Sequence, residues 1–331
     1  MLRSFLPIGQ GFFAIEHFKN FTAIFNCGGS SIKIINNQIN NILSKYSEID
    51  ALFITDLQNN YTNGLEYLLN NYKVNNLIIP YLNKDERLLT LLNHLLYGKA
   101  KNDFLVNLLL NNRKFLKNNK VIEVVGKHEF IFKDFKECFN DSWIFSTHNF
   151  RKDKIIEKFK EGLKKYNLEN LSFENIFHLS TKDATTIKKI IREEVGGQIN
   201  PNSLVVYSGP VNMKMQDYSI DSFEKPLLKG GCLYLGDFDT NKYYKEFYES
   251  FCNFHEFVGT VTLPQHGNRN YYNKRLCLDC DSRFVVTSSN KYIDRFPNKE
   301  VLRSIMHYDK IIYIIDELNH PYEQIIGDKS L

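Results

Sequence analysis

No run of apolar residues in this sequence approaches the roughly 20 consecutive positions with which a helix crosses a bilayer. The longest stretches, residues 104 to 110 with Asn107 inside them and residues 311 to 315, are too short, so no membrane span is expected. The start, Met1-Leu2-Arg3-Ser4-Phe5-Leu6-Pro7, has one basic residue and an apolar stretch cut by Pro7. That is not the uninterrupted core of a secretory leader, and the expectation is a cytoplasmic protein. An excess of one charge is also missing: 42 Lys and Arg stand against 38 Asp and Glu, a net charge of +4. Recognition of nucleic acid through charge needs a clustered basic face, so this total does not identify a nucleic-acid binder and leaves partners open.

Cysteine is sparse. Six residues (Cys27, Cys138, Cys232, Cys252, Cys277 and Cys280) in 331 positions are not the dense disulfide framework of small secreted domains. Cys277-Leu278-Asp279-Cys280 is a lone C-x-x-C with neither a second pair nor a neighbouring His to complete a zinc site, and it reads as buried free thiols. The nine histidines show no H-x-H or H-x-x-x-H spacing. Gly196-Gly197 and Gly230-Gly231 lack the following Lys-Ser/Thr of a phosphate loop and read as turns. No Pro/Gly/Ser-rich linker divides the chain, so a single domain over residues 1–331 is expected.

What is present is a chain with 43% hydrophobic and 14% aromatic residues, enough for a large core. Short apolar runs alternate with amphipathic stretches in the first third: Phe12 to His17, Phe21 to Asn26, a helical Ile35 to Tyr46, Ala51 to Thr55, a helical Leu65 to Tyr72, and Asn76 to Pro80. The last third repeats this order from Ser203 to Ile315. The pattern predicts two similar halves, about 1–135 and 200–331, each a mixed sheet with helices on its outer face, packed sheet on sheet as a four-layer αββα sandwich. Helical insertions are expected over about 89–118 and 152–195. Their apolar faces, Phe104, Leu105, Leu108 and Leu109 in one and Ile155, Ile156, Phe159 and Leu163 in the other, are expected to be partner contacts on which function depends, with burial against the sheet layers the competing reading.

Strand Ala51 to Thr55 runs into the polar loop Asp56-Leu57-Gln58-Asn59-Asn60-Tyr61-Thr62-Asn63-Gly64-Leu65 and then a helix. A loop at the carboxyl end of a buried strand commonly carries a site. This arrangement resembles the metallo-β-lactamase superfamily, whose members carry T-H-x-H-x-D-H-x-x-G-L at this turn, and particularly the hydrolase domain of ComEC-type competence proteins. Where the resemblance calls for histidines, this chain has Asp56, Gln58 and Tyr61, and where it calls for aspartate it has Asn60. Phe25-Asn26-Cys27-Gly28-Gly29 is similar to the family's strand ending in Asp-Cys-Gly. Leu233-Tyr234-Leu235-Gly236-Asp237 resembles its strand ending in Gly-Asp, and Leu263-Pro264-Gln265-His266-Gly267-Asn268 its Pro-His-His-Gly-Ser. Ser288-Ser289-Asn290 through Phe296-Pro297 resembles the stretch ending in His-Pro, with Phe296 in place of the histidine. The likeness covers most of residues 5 to 90 and 200 to 315.

The resemblance therefore implies a metallo-hydrolase frame with a degenerate site. Zinc wants imidazole, thiolate or carboxylate donors at about 2.0–2.3 Å, and neutral amides and a phenol are poor substitutes. Asp237 and His266 alone do not make a dinuclear centre, so no cofactor is expected. The expected function is that of a catalytically degenerate protein acting through a protein partner or a small ligand, with a place in bacterial defence or nucleic-acid handling implied only at family level. The rival reading is a metal-dependent phosphodiesterase or nuclease in which Asp56, Asp237 and His266 hold one Mg²⁺ or Mn²⁺, hard cations that accept oxygen ligands. A metal-free acid/base pair of Asp237 and His266 is a further use of the same residues.

Overall fold

The computed structural model describes residues 1–46, 48–97, 103–111, 120–132, 143–196, 202–211, 215–217, 229–289 and 295–328. In chain order the strands are β1 (Leu2–Phe5), β2 (Phe12–His17), β3 (Thr22–Gly28), β4 (Glu48–Ile49), β5 (Ala51–Phe53), β6 (Lys73–Val74), β7 (Asn76–Pro80), β8 (Lys120–Val124), β9 (Lys127–Phe130), β10 (Trp143–Arg151), β11 (Asn202–Pro210), β12 (Met215–Asp217), β13 (Gly231–Tyr234), β14 (Val258–Thr262), β15 (Arg283–Thr287), β16 (Ile312–Ile315) and β17 (Tyr322–Asp328). The helices are α1 (Ile32–Leu43), α2 (Asn59–Thr62), α3 (Leu65–Asn71), α4 (Lys84–Tyr97), α5 (Asp103–Leu109), α6 (Asp153–Lys165), α7 (Thr181–Glu193), α8 (Tyr244–Phe251), α9 (Arg275–Asp279) and α10 (Lys299–His307).

Two large sheets result. The first has the order β12-β17-β1-β2-β3-β5-β7-β8 and the second β16-β15-β14-β13-β11-β10-β9. Each is antiparallel on one side and parallel on the other, the change falling at β3 in the first and β13 in the second. The same plan appears twice, as the repeated order of runs and helices predicts.

Alternation along the strands produces the layers, because side chains two apart share a face. In β5, Ala51 and Phe53 point between the sheets while Leu52 points to the outer helices. In β13, Cys232 and Tyr234 face between the sheets and Leu233 faces outward. The apolar interior accordingly falls into three layers: helices on the first sheet, sheet on sheet, and helices on the second sheet. This is the expected αββα sandwich. The middle layer is aromatic, with Phe25 stacked on Tyr234 at 3.7 Å and on Phe53 at 5.3 Å. Each such buried ring contributes about 1.5–3 kcal/mol.

A buried polar network also crosses this layer. Arg3 Nε donates to Glu16 Oε1 at 2.7 Å, and Ser208 Oγ and Tyr234 OH donate to the same carboxylate at 2.5 and 2.8 Å. A buried ion pair is tolerable only when its remaining hydrogen-bonding positions are filled. Here they are filled from both sheets, which fixes their alignment.

Several elements depart from the sequence reading. The stretch from Val121 to Phe135, which its apolar pattern between the two helical insertions suggests as one strand region, holds two strands in different sheets, β8 at the edge of the first and β9 at the edge of the second, joined through Gly126 at φ 62. Residues 133–135 lie outside the described residues, as do 112–118 of the first insertion and Gly197 of the double-glycine pair. β1, β10 and β17 had no counterpart in the reading, and β12 and β17 carry the C-terminal part of the chain into the first sheet.

The apolar faces of the insertions are core, not partner contacts. Phe104, Leu105, Leu108, Leu109, Ile155, Ile156, Phe159 and Leu163 all pack in the layer over the first sheet. α6 approaches α7 so closely that a Cβ on Gly162 would stand 2.5 Å from Ile190 Cγ2. None of the described helices is long and apolar enough to cross a membrane.

Candidate functional site

The carboxyl ends of β5 and β13 meet at one edge of the sandwich. The backbone N–H of Leu204, in the second sheet, donates to Thr55 O at 2.9 Å. Gly236 takes φ 53 and presses on the same residue: a Cβ there would lie 2.5 Å from Thr55 Oγ1. Only glycine meets both demands, which is the physical content of the Gly236-Asp237 dipeptide. Asn26, at φ 58, holds Thr55 from the β3 side.

These contacts bring the loop after β5 against the turns carrying Asp237 and His266. Tyr61 OH donates to Asp237 Oδ1 at 2.5 Å. His266 Nδ1 lies 2.9 Å from Thr287 O and its Nε2 lies 3.4 Å from Asn60 Nδ2. A carbonyl only accepts, so Nδ1 carries the proton and Nε2 takes the amide hydrogen of Asn60. Gln265 and His266 both adopt the left-handed backbone, at φ 42 and 56, to place this ring. Such strain persists only where the surroundings enforce it.

Asp237 and His266 are therefore neighbours without being a hydrogen-bonded pair. Each is bonded instead to a residue at a replaced position of the first loop. Asp56 is buried, and its carboxylate accepts from Gln58 N at 2.8 Å. It lines a small pocket with Leu82, Thr90 and Asn202. Gln58, Asn60, Asp237, His266 and Phe296 line an adjoining open cleft of about 910 Å³, which shares Leu57, Gln58, Thr90 and Asn93 with that pocket. Tyr61 stands behind the cleft, buried and stacked at 6.1 Å on His266. Of the stretch that resembles the His-Pro motif, residues 290–294 lie outside the described residues.

Burial dominates the electrostatics. It raises the Tyr61 phenol well above its usual range, with the charge of Asp237 acting in the same direction, so the hydroxyl remains a donor. It raises Asp56 well above the carboxylate range, and the Asp237 charge adds to this. It raises Asp237 too, against the opposing influence of His266, the Tyr61 hydrogen bond and Lys152. It lowers His266, against the pull of Asp237 and the Thr287 carbonyl. The imidazole is thus a neutral acceptor near neutral pH.

Among the described residues no group of three His, Cys, Asp or Glu side chains is placed to hold a metal ion. Tyr61 and Asn60 engage the two ligand types that the sequence retains.

Lys152 is a member of the site that the sequence reading missed. It is the only lysine buried among the described residues, and it feels the charges of Asp56, Asp237 and Asp239. Helical periodicity assigns it to the solvated basic face of the following helix. It lies one residue before that helix begins, where the periodicity does not apply. Asp239 caps locally, accepting from Lys242 N at 3.0 Å. Of the basic and aromatic residues that follow His266, Tyr272 is core and Arg269 pairs with Glu300 at 3.2 Å. Cys277 and Cys280 are buried free thiols.

No protein-family model matches the chain, and no curated protein sequence matches it. Among solved structures it is similar to a long-form RNase Z from yeast, at 11% identity and a TM-score of 0.44, over 99% of this chain and 50% of that one. It is similar to the short form of human tRNase Z at 9% identity and 0.43, over 99% of each chain. It is also similar to the metallo-β-lactamase fold protein YhfI from Bacillus subtilis at 7% and 0.44, over 99% of this chain and all of that one. The chain thus spans half the length of the yeast protein. The four-layer architecture stands on its own sheets and layers, and these likenesses carry no argument about activity.

Proposed function

We propose that this chain is a catalytically degenerate protein of the metallo-β-lactamase fold, akin to the hydrolase domain of ComEC-type proteins, whose open cleft binds a small polar ligand in place of a hydrolytic metal centre. One observation carries the reading: Tyr61 and Asn60, at positions where the family places metal ligands, hydrogen-bond Asp237 and His266. A metal would have to displace both partners, and the remaining neutral amides are weak zinc donors.

Other features support it. The insertion faces that would have offered a partner surface are buried, and a cleft of about 910 Å³ offers a concave surface for recognition. Its described lining is rich in amides and hydroxyls, among them Gln10, Ser30, Asn59, Asn63, Asn93 and Asn268. Asp237 and Glu317 contribute acid, and no lysine or arginine lines it among the described residues. A phosphodiester backbone is recognised largely through basic groups, so a neutral polar ligand suits this lining better than nucleic acid. The rival Mg²⁺ or Mn²⁺ hydrolase would draw on Asp56, Asp237 and His266, of which Asp237 and His266 already accept hydrogen bonds from Tyr61 and Asn60.

The test is elemental analysis of protein purified without chelator, together with its melting temperature in EDTA. The expected result is far less than one zinc per chain and an unchanged melting temperature, because no metal contributes to folding. One or two zinc ions per chain, lost in Asp237→Ala or His266→Ala, would overturn the reading.

A further inference from the structure

Lys152 directly follows β10, and its surroundings are set by strand register. Arg151 at the end of β10 pairs with Asn202 at the start of β11, and Val206 of β11 pairs with Tyr234, the last residue of β13. The end of β10, the start of β11 and the end of β13 therefore share one edge of the second sheet, and Asp237 and Asp239 lie just beyond β13. The Leu204 to Thr55 hydrogen bond ties that edge to the loop bearing Asp56. The fold thus gathers one buried ammonium and three buried carboxylates from three separate stretches of chain.

A cluster of this sign is unstable without a countercharge. Removing a carboxylate from water is costly, and each further carboxylate in the same place raises the cost. In a metallohydrolase the bound cations supply the compensation. Here Tyr61 and Asn60 engage Asp237 and His266, and a lysine occupies the same acidic surroundings.

We propose that the Lys152 ammonium is the resident cation of this site, giving Asp56, Asp237 and Asp239 the countercharge that a bound metal gives in a metallohydrolase. Burial lowers the Lys152 pKa from its usual value, with Lys242 acting the same way, while the charges of Asp56, Asp237 and Asp239 oppose that shift. The inference rests on the metal-free reading of the cleft, but its test is separate, since zinc content of the wild-type protein reports on that reading alone.

The experiment compares melting temperatures of wild type, Lys152→Arg, Lys152→Met and the double variant Lys152→Met/Asp56→Asn, each with and without millimolar MnCl₂. Lys152→Met keeps the side-chain volume and removes the charge, and should melt lower by roughly 5 °C or more. Lys152→Arg should stay near wild type. The double variant should recover much of the loss, because one carboxylate disappears with the ammonium. Mn²⁺ should raise the melting temperature of Lys152→Met while leaving wild type unchanged. If Lys152→Met does not fold by itself, recovery of a folded double variant still decides the matter. Wild-type stability in Lys152→Met, or failure of either rescue, overturns the proposal.

Discussion

Asn26 and Thr55 hold each other through three hydrogen bonds. Thr55 N donates to Asn26 Oδ1 at 2.8 Å, Asn26 Nδ2 donates to Thr55 Oγ1 at 2.8 Å, and Thr55 Oγ1 donates to Asn26 Oδ1 at 3.1 Å. Both residues are fully buried, and Asn26 does this from a left-handed backbone that asparagine tolerates better than most residues. Asn26→Ala would leave the Thr55 N–H without a partner and put a less tolerant residue at that φ. The expected loss is about 2–4 kcal/mol in denaturant unfolding. A loss below the error of that measurement would show that the clamp contributes nothing.

Tyr61→Phe should destabilise the protein in a pH-dependent way. The Tyr61 hydrogen bond lowers the Asp237 pKa, so removing it raises an already raised folded-state value. A carboxyl with a raised folded pKa contributes stability that is present below its unfolded value and lost as pH rises through the folded one. The penalty should therefore be small near pH 5 and reach about 1–3 kcal/mol at pH 8. Urea unfolding at the two pH values checks this, and equal penalties at both would contradict it.

His17 should make the fold acid-sensitive. Its ring stacks on Tyr46 at 4.5 Å, and burial lowers its pKa to about 4. A depressed folded pKa contributes stability that is complete above the unfolded value, about 6.5, and lost as pH falls through the folded one. His17→Phe should flatten the stability curve between pH 6.5 and about 4. A variant curve parallel to wild type across that window would assign the acid sensitivity to other groups.

Phe159→Ala on α6 should cost about 3–5 kcal/mol, as truncation of a buried aromatic does. The neighbouring exposed Lys158→Ala should stay within about 0.5 kcal/mol of wild type. The contrast separates a helix packed into the core from one displayed for a partner. A Phe159→Ala protein as stable as wild type would restore the docking surface.

Legibility in the sequence followed how local each signal was. The loop after β5, the Gly236-Asp237 turn and the His266 turn lie within single short stretches, and these are the stretches that meet at the cleft. β10 was missed because Ser146, Thr147, His148 and Asn149 interrupt its apolar pattern. Two of them find partners only on other strands and loops: Thr147 Oγ1 donates to His128 O, and Asn149 Nδ2 to Tyr81 O and Val124 O, all at 3.0 Å. β1 and β17 were missed because short strands carrying Arg3, Glu323 and Gln324 have no apolar signature until they pair. The amphipathic faces of α5 and α6 were legible as apolar stripes. Which surface covered them was not, since periodicity reports that a face is buried and says nothing about the element that buries it.

β1 lies between β2 and β17, and Arg3 reaches Gln324 across 321 positions of chain. Protein synthesis runs from the amino end, so a nascent chain on the ribosome holds β1 with one edge unpaired and the Arg3–Glu16 pair without its Gln324 contact until β17 has emerged. Unpaired strand edges invite association with other chains. The first sheet thus begins early and is completed late, so the free edge of β1 persists through most of synthesis.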